Sequence, residues 1–249
     1  MKYFLKTFAA AAIIGVVFMN CKKLKSSETE QTGTADLTLY KKIYGASSVT
    51  QDGDYVVIKT TCLPDHKSPY YQGTQWASKY EAYNGTGTFA KNPSSIAAQN
   101  VTFRIPLNPQ EATNKSATPL GPIGIALNGV PFFNQYAAGY SPLTNEIVSF
   151  DQYNGHPQQQ GEYHYHAEPF YLTASKGKSA LLGFLLDGFP VYGPVENGAT
   201  ITNANLDAYH GHTGVTAEYP QGIYHYHITS ADPYINGNGF YGKPGTVSH

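Results

Sequence analysis

Residues 123–133 read IGIALNGVPFF, and residues 182–192 read LGFLLDGFPVY. At an offset of 59 the two segments align: Gly124 with Gly183, Asn128-Gly129 with Asp187-Gly188, and Pro131 with Pro190. Each is an apolar run that reaches a two-residue Asn-Gly or Asp-Gly turn, a strong short-range hairpin signal. Two further blocks follow in the same order. FDQYNGHP (150–157) aligns with LDAYHGHT (206–213) at an offset of 56, and GEYHYH (161–166) with GIYHYH (222–227) at 61. The chain therefore carries one unit twice, over about 121–170 and 181–231, with small insertions between blocks. Two copies are too few for a solenoid, which needs three or more. A pair is expected to fold as one body about an approximate two-fold axis.

Composition agrees with a strand-rich fold. The 249 residues include 21 Tyr, 25 Gly and 16 Pro, and only 13% are charged. Aromatic side chains suit pleated surfaces, and Gly and Pro interrupt helices. Residues 54–64 (DYVVIKTTCLP) and 101–109 (VTFRIPLNP) read as strands, SKYEAY (78–83) as a short helical turn, and 110–119 as an exposed loop. The expected fold is mainly β: a single domain over 37–249 with an internal pseudo-two-fold repeat, built as a sandwich or barrel-like sheet with few short helices. A net charge of −1 supplies no field for a polyanion, so no nucleic-acid partner is expected. No phosphate-binding glycine loop, GxSxG or CxxC is present.

The N-terminus has the anatomy of an export signal. Lys2 and Lys6 precede an apolar run, Phe8 to Met19, that is short for a membrane span and ends at Asn20-Cys21. This looks like a lipoprotein signal over 1–20, with Cys21 as the lipidation site and 21–36 as a flexible polar tether. Asn20 and Phe18 depart from the commonest residues of such signals, and plain secretion is the alternative. The expected localisation is the cell envelope or surface, anchored to a membrane by lipid. Cys62 then has no partner and reads as a small buried hydrophobe.

The repeated tetrapeptide carries the chemistry. Along an extended strand, alternate side chains leave on opposite faces. His164 and His166 therefore share one face and Tyr163 and Tyr165 the other; His225 and His227 divide from Tyr224 and Tyr226 in the same way. His156 and His212 follow Gly-rich turns that fold them back toward these strands. Three histidines per copy are the usual protein complement of a catalytic metal that keeps one position open. Imidazole suits Zn, Cu, Fe or Ni, with Zn or Cu expected, and disfavours Ca or Mg. One shared ion or one per copy are both compatible with the sequence. Asp151, Asp207 and Asp187, with the four tyrosines, are expected around the ligands as orienting partners or, for the acids, as ligands themselves. Against this stand bland readings: a Tyr/His ladder between strands, Asx turns for Asp151 and Asp207, and structural roles for His66 and His210.

In order along the chain, LPDH (63–66), NPSSIAAQNVTFRIPLNP (92–109), GPIGIALNGVPFFN (121–134), FDQYNGHP, GEYHYH, LLGFLLDGFPVYGP (181–194), LDAYHGHT, GIYHYH and DPYINGNGFYG (232–242) resemble the YHYH domain family. The resemblance runs from about Leu63 to Tyr241 and implies an exported bacterial protein, without implying an activity. Many similar sequences carry Cys where Tyr153 and Tyr209 stand, which implies disulfides that this chain lacks. The leading expectation is a lipid-anchored transition-metal protein, with metal-dependent catalysis open and substrate or protein partner unknown. The alternative is a non-catalytic binding or adhesion module with structural Tyr/His ladders. A third reading is a metal-free hydrolase using a His/Asp base.

Overall fold

The computed structural model describes Met1 and residues 37–249. The signal, tether and Cys21 expectations fall on residues outside that range.

The repeat builds one eight-stranded sheet. The first copy contributes β1 (Pro122–Ala126), β2 (Pro131–Phe133), β3 (Gly155–Pro157) and β4 (Tyr163–Tyr165). The second contributes β5 (Leu181–Leu185), β6 (Pro190–Tyr192), β7 (Gly211–Gly214) and β8 (Ile223–His227). The order across the sheet is β7-β8-β6-β5-β1-β2-β4-β3. Read from the middle outward, both halves give the same sequence of elements. Antiparallel β1 and β5 meet there, with Ile125 opposite Phe184. Those two residues are themselves equivalent at the offset of 59, so the approximate two-fold passes between them. The outer pairings repeat as well: β4 runs parallel to β2 with Tyr165 opposite Phe132, and β8 parallel to β6 with Tyr226 opposite Val191.

The Asn-Gly and Asp-Gly turns close the β1–β2 and β5–β6 hairpins. Gly129 and Gly188 sit at φ of 80° and 87°, where a side chain would be strained. Every residue of β1 and β5 is buried. That explains why these segments read as continuous apolar runs instead of alternating ones.

A second sheet of four strands has the order Ala46–Asp52, Tyr55–Thr60, Val101–Pro106, Thr246–Ser248. Its middle strands alternate, burying Val56, Ile58, Val101, Phe103 and Ile105. These share one apolar core with Ile123, Ile125, Leu182 and Phe184 of the large sheet. Each such burial stabilises by about 1.5–3 kcal/mol. Two hydrogen bonds lock the layers: Tyr40 Oη donates to the Gly188 carbonyl at 3.2 Å, and Thr60 Oγ1 to that of Gly129 at 2.8 Å. The result is sandwich-like. The barrel alternative falls, because β7 and β3 end the large sheet as edges instead of pairing with each other. Among the described residues helices are few and short, as expected.

One local expectation is corrected. Residues 110–119 are not a free loop, since Glu111–Ser116 forms a strand paired with Phe240–Gly242. Its polar sequence gives no periodic signal because its pairing comes from the far end of the chain. Cys62 is buried and free.

Candidate metal centre

In β3 and β4, His156 lies directly opposite His164; in β7 and β8, His212 lies opposite His225. Each cross-strand pair gains a third imidazole two residues on, His166 and His227. Their rings cluster with centroids 4.6–5.6 Å apart in the first copy and 4.6–5.1 Å in the second. Ligand atoms of His156, His164 and His166 lie within 4.8 Å of one another, as do those of His212, His225, His227 and Glu196. Bonds of 2 Å on a tetrahedral ion ask for about 3.3 Å between donors, so each cluster need contract by no more than about 1.5 Å.

Five strand-to-strand steps separate β4 from β8, roughly 24 Å at ordinary strand spacing. The six histidines thus form two separate triads, one per copy.

Backbone carbonyls orient the rings. His164 Nδ1 donates to the Glu162 carbonyl at 3.1 Å, and its equivalent His225 to that of Ile223 at 3.0 Å. His166 Nδ1 donates to Asn134 at 2.6 Å, and His227 to Gly193 at 2.8 Å. A carbonyl can only accept, so all four Nδ1 atoms carry hydrogen and all four Nε2 atoms of the neutral rings carry bare lone pairs. The Ser149 hydroxyl donates to the Glu146 carbonyl, and so accepts from His156 Nδ1 at 2.7 Å. The Nε2 atoms of His156, His212, His225 and His227 are buried and make no hydrogen bond. Those of His164 and His166 face each other at 2.9 Å.

Burial keeps the rings neutral. It pushes His156 down to about 3, with His166 adding to the effect, and brings His166 and His227 to about 4. His164 and His225 are lowered by the same cause.

The carboxylates expected beside the imidazoles lie on the tyrosine side. Asp151 accepts from Tyr163 Oη at 2.9 Å and from the Tyr153 and Gly155 N–H groups. Asp207 repeats this with Tyr224 at 2.9 Å, Tyr209 and Gly211. Asp187 accepts from Tyr226 Oη at 2.6 Å, and its equivalent Asn128 bonds Tyr165 Oη at 3.0 Å. These acids hold the opposite face of the histidine strands. The carbonyls do the orienting that the sequence reading gave to them. Alternation along the strand is the reason: a partner that reaches a tyrosine hydroxyl is on the wrong face for the imidazole next to it.

His66 is not part of either triad. Its Nε2 meets Tyr165 Oη at 3.0 Å and its Nδ1 the Lys67 carbonyl at 2.9 Å, amid the rings of Tyr153, Tyr163 and Tyr171. His210 bonds Asn203 and Thr229 through Nε2.

Glu196 escaped the sequence reading. Its carboxylate lies 3.3 Å from His225 Nε2, 3.4 Å from His212 Nε2 and 4.0 Å from His227 Nε2. Extending the offset of 59 places Ala137 at the equivalent position, so no repeated residue flags it. Glu146 was also missed; it stands 3.8 Å from His156 Nε2.

Fold and site together define a mainly β protein with a duplicated histidine-bearing hairpin unit. The sequence model of the family described as "YHYH protein" matches residues 102–205 and 195–239, together more than half of the 249 residues. The chain belongs to the YHYH protein family. No curated protein and no solved structure matches it.

Proposed function

We propose that this chain is an exported, lipid-anchored protein that holds a transition metal ion, Zn or Cu, in each of its two histidine triads. One observation carries the reading. His164 and His166 both give their Nδ1 hydrogens to carbonyls, which leaves two Nε2 lone pairs facing each other at 2.9 Å. That contact is repulsive unless a cation lies between them. A proton is disfavoured there, because burial lowers both rings. A soft-to-borderline metal ion suits an all-imidazole donor set. The adhesion alternative, in which the histidines bridge strands, asks for hydrogen bonds at the Nε2 atoms, and four of the six make none. The hydrolase alternative asks for a His/Asp pair, and Asp151, Asp207 and Asp187 bond tyrosines instead.

Elemental analysis of protein purified without a histidine tag is the test. Two equivalents of one transition metal are expected, falling to about one in His164→Ala and in His225→Ala. Absence of stoichiometric metal in the folded wild type would refute the assignment. Anchoring is tested separately by intact mass of detergent-extracted protein. The mature chain should begin at Cys21 and carry a diacylglyceryl group; an unmodified N-terminus at another residue rejects it.

A further inference from the structure

The two triads sit in equivalent strands, yet their surroundings differ. In the second copy the Val195–Glu196 strand, paired with Ala199–Thr200, brings the Glu196 carboxylate against three Nε2 atoms. In the first copy the equivalent ribbon, Tyr136–Ala137 paired with Ser141–Pro142, carries Ala137 at that place. Among the described residues, no carboxylate or thiolate joins His156, His164 and His166 within 4.8 Å. Glu146 comes to 3.8 Å from His156 Nε2 but stays outside that group.

Where the methyl group of Ala137 replaces a carboxylate, a cavity of about 720 Å³ opens, lined by all three imidazoles. That volume is within the range of small-molecule sites. The cavity at the second triad is about 270 Å³, and Glu196 lines it. The larger cavity mixes amides, Asn92, Gln158 and Gln160, and the Glu146 carboxylate with a partly exposed apolar rim of Leu120, Tyr136 and Val148. No Lys or Arg lines it, so apart from an ion at the triad nothing there would meet a multiply charged anion.

Building on the metal reading above, we infer that the copies have divided their roles: Glu196 completes the His212/His225/His227 site as a structural centre, whereas the His156/His164/His166 site keeps a coordination position for a small, uncharged polar molecule admitted through the cavity. Four protein ligands are the mark of closed structural sites, and three with one free position the mark of working ones. Alanine in place of glutamate is the residue change that separates them.

The experiment uses the full chain without a histidine tag, stripped by chelator and reloaded with Co(II), whose visible absorption reports its coordination. Wild type should take up two Co(II), and azide should alter the spectrum of one equivalent only. Ala137→Glu should load two Co(II) and lose the azide response. Glu196→Ala should load two and roughly double that response. Imidazole, a neutral donor through a single nitrogen, should displace the azide, and succinate should not. Azide acting on both centres or on neither in the wild type overturns the division of roles while leaving metal binding standing. Response at neither centre is also what Glu146 acting as a fourth ligand would give. Succinate competing as well as imidazole overturns the ligand class. Failure to load Co(II) at all counts against the metal reading itself. Ala137 is buried, so should Ala137→Glu fail to fold, Glu196→Ala decides alone: an unchanged azide response would reject the proposal.

Discussion

Asp187 and Asn128 occupy equivalent turn positions and hold equivalent tyrosines, Tyr226 and Tyr165, but only one of them titrates. Asp187 is fully buried, and desolvation raises its carboxyl from the ordinary 3.8 to about 6 despite three donors, Tyr226 Oη and the Gly242 and Phe189 N–H groups. The sign follows from linkage. A carboxyl whose folded value is raised contributes its stability below the unfolded value, and that contribution is lost as pH rises from about 3.8 to about 6. Replacement by Asn, the residue of the first copy, removes this titration. Urea unfolding of wild type and Asp187→Asn between pH 4 and 7 should show the variant gaining on the wild type as pH rises, by up to about 3 kcal/mol. Any constant cost of a lost acceptor shifts both ends equally. A difference between the two proteins that does not change with pH would disprove the buried-acid reading of Asp187. Tyrosine and histidine thus have separate partners in each YHYH strand: side-chain acids or amides for one face, backbone carbonyls for the other.

The Gly-His turns show why that strand tolerates so little else. Gly155 and Gly211 begin β3 and β7, and the rings of Tyr163 and Tyr224 pack closely against them. A Cβ at Gly155 would come within 2.4 Å of the Tyr163 ring, and one at Gly211 within 2.4 Å of Tyr224 Oη. Tyr163 is wholly buried and tied to Asp151, so it cannot swing aside. Gly155→Ala should therefore separate β3 from β4, costing about 1–3 kcal/mol as overpacking does and displacing His156 from His164. Thermal unfolding and metal content of the variant check this together. A variant as stable as the wild type with full metal content would mean the strand pair yields more easily than its packing implies. The strand and turn types were legible in the sequence, because period-two alternation and Asn-Gly or Asp-Gly turns are local properties. The strand at 111–116 was not legible, since only its partner at 240–242 gives it an extended form.

The duplicated blocks, the opposed faces of Tyr and His, and the three histidines per copy follow from the sequence alone, because each depends on residues no more than a few strands apart in the chain. The mainly β class follows in the same way. Whether the six histidines make one site or two does not. That depends on β1 and β5 pairing at the centre of the sheet, which sends β4 and β8 outward to opposite sides. Nor does the sequence place Glu196 beside His225 and leave Ala137 beside His166's cavity. Both residues lie outside the repeated blocks, in a ribbon whose course is set by what it packs on. The same holds for Asp151, Asp207 and Asp187, which a one-dimensional reading puts near the imidazoles and the tertiary structure puts behind the tyrosines. Side-chain alternation is encoded within a strand. Which neighbour each face meets is decided only when strands about 60 residues apart come together.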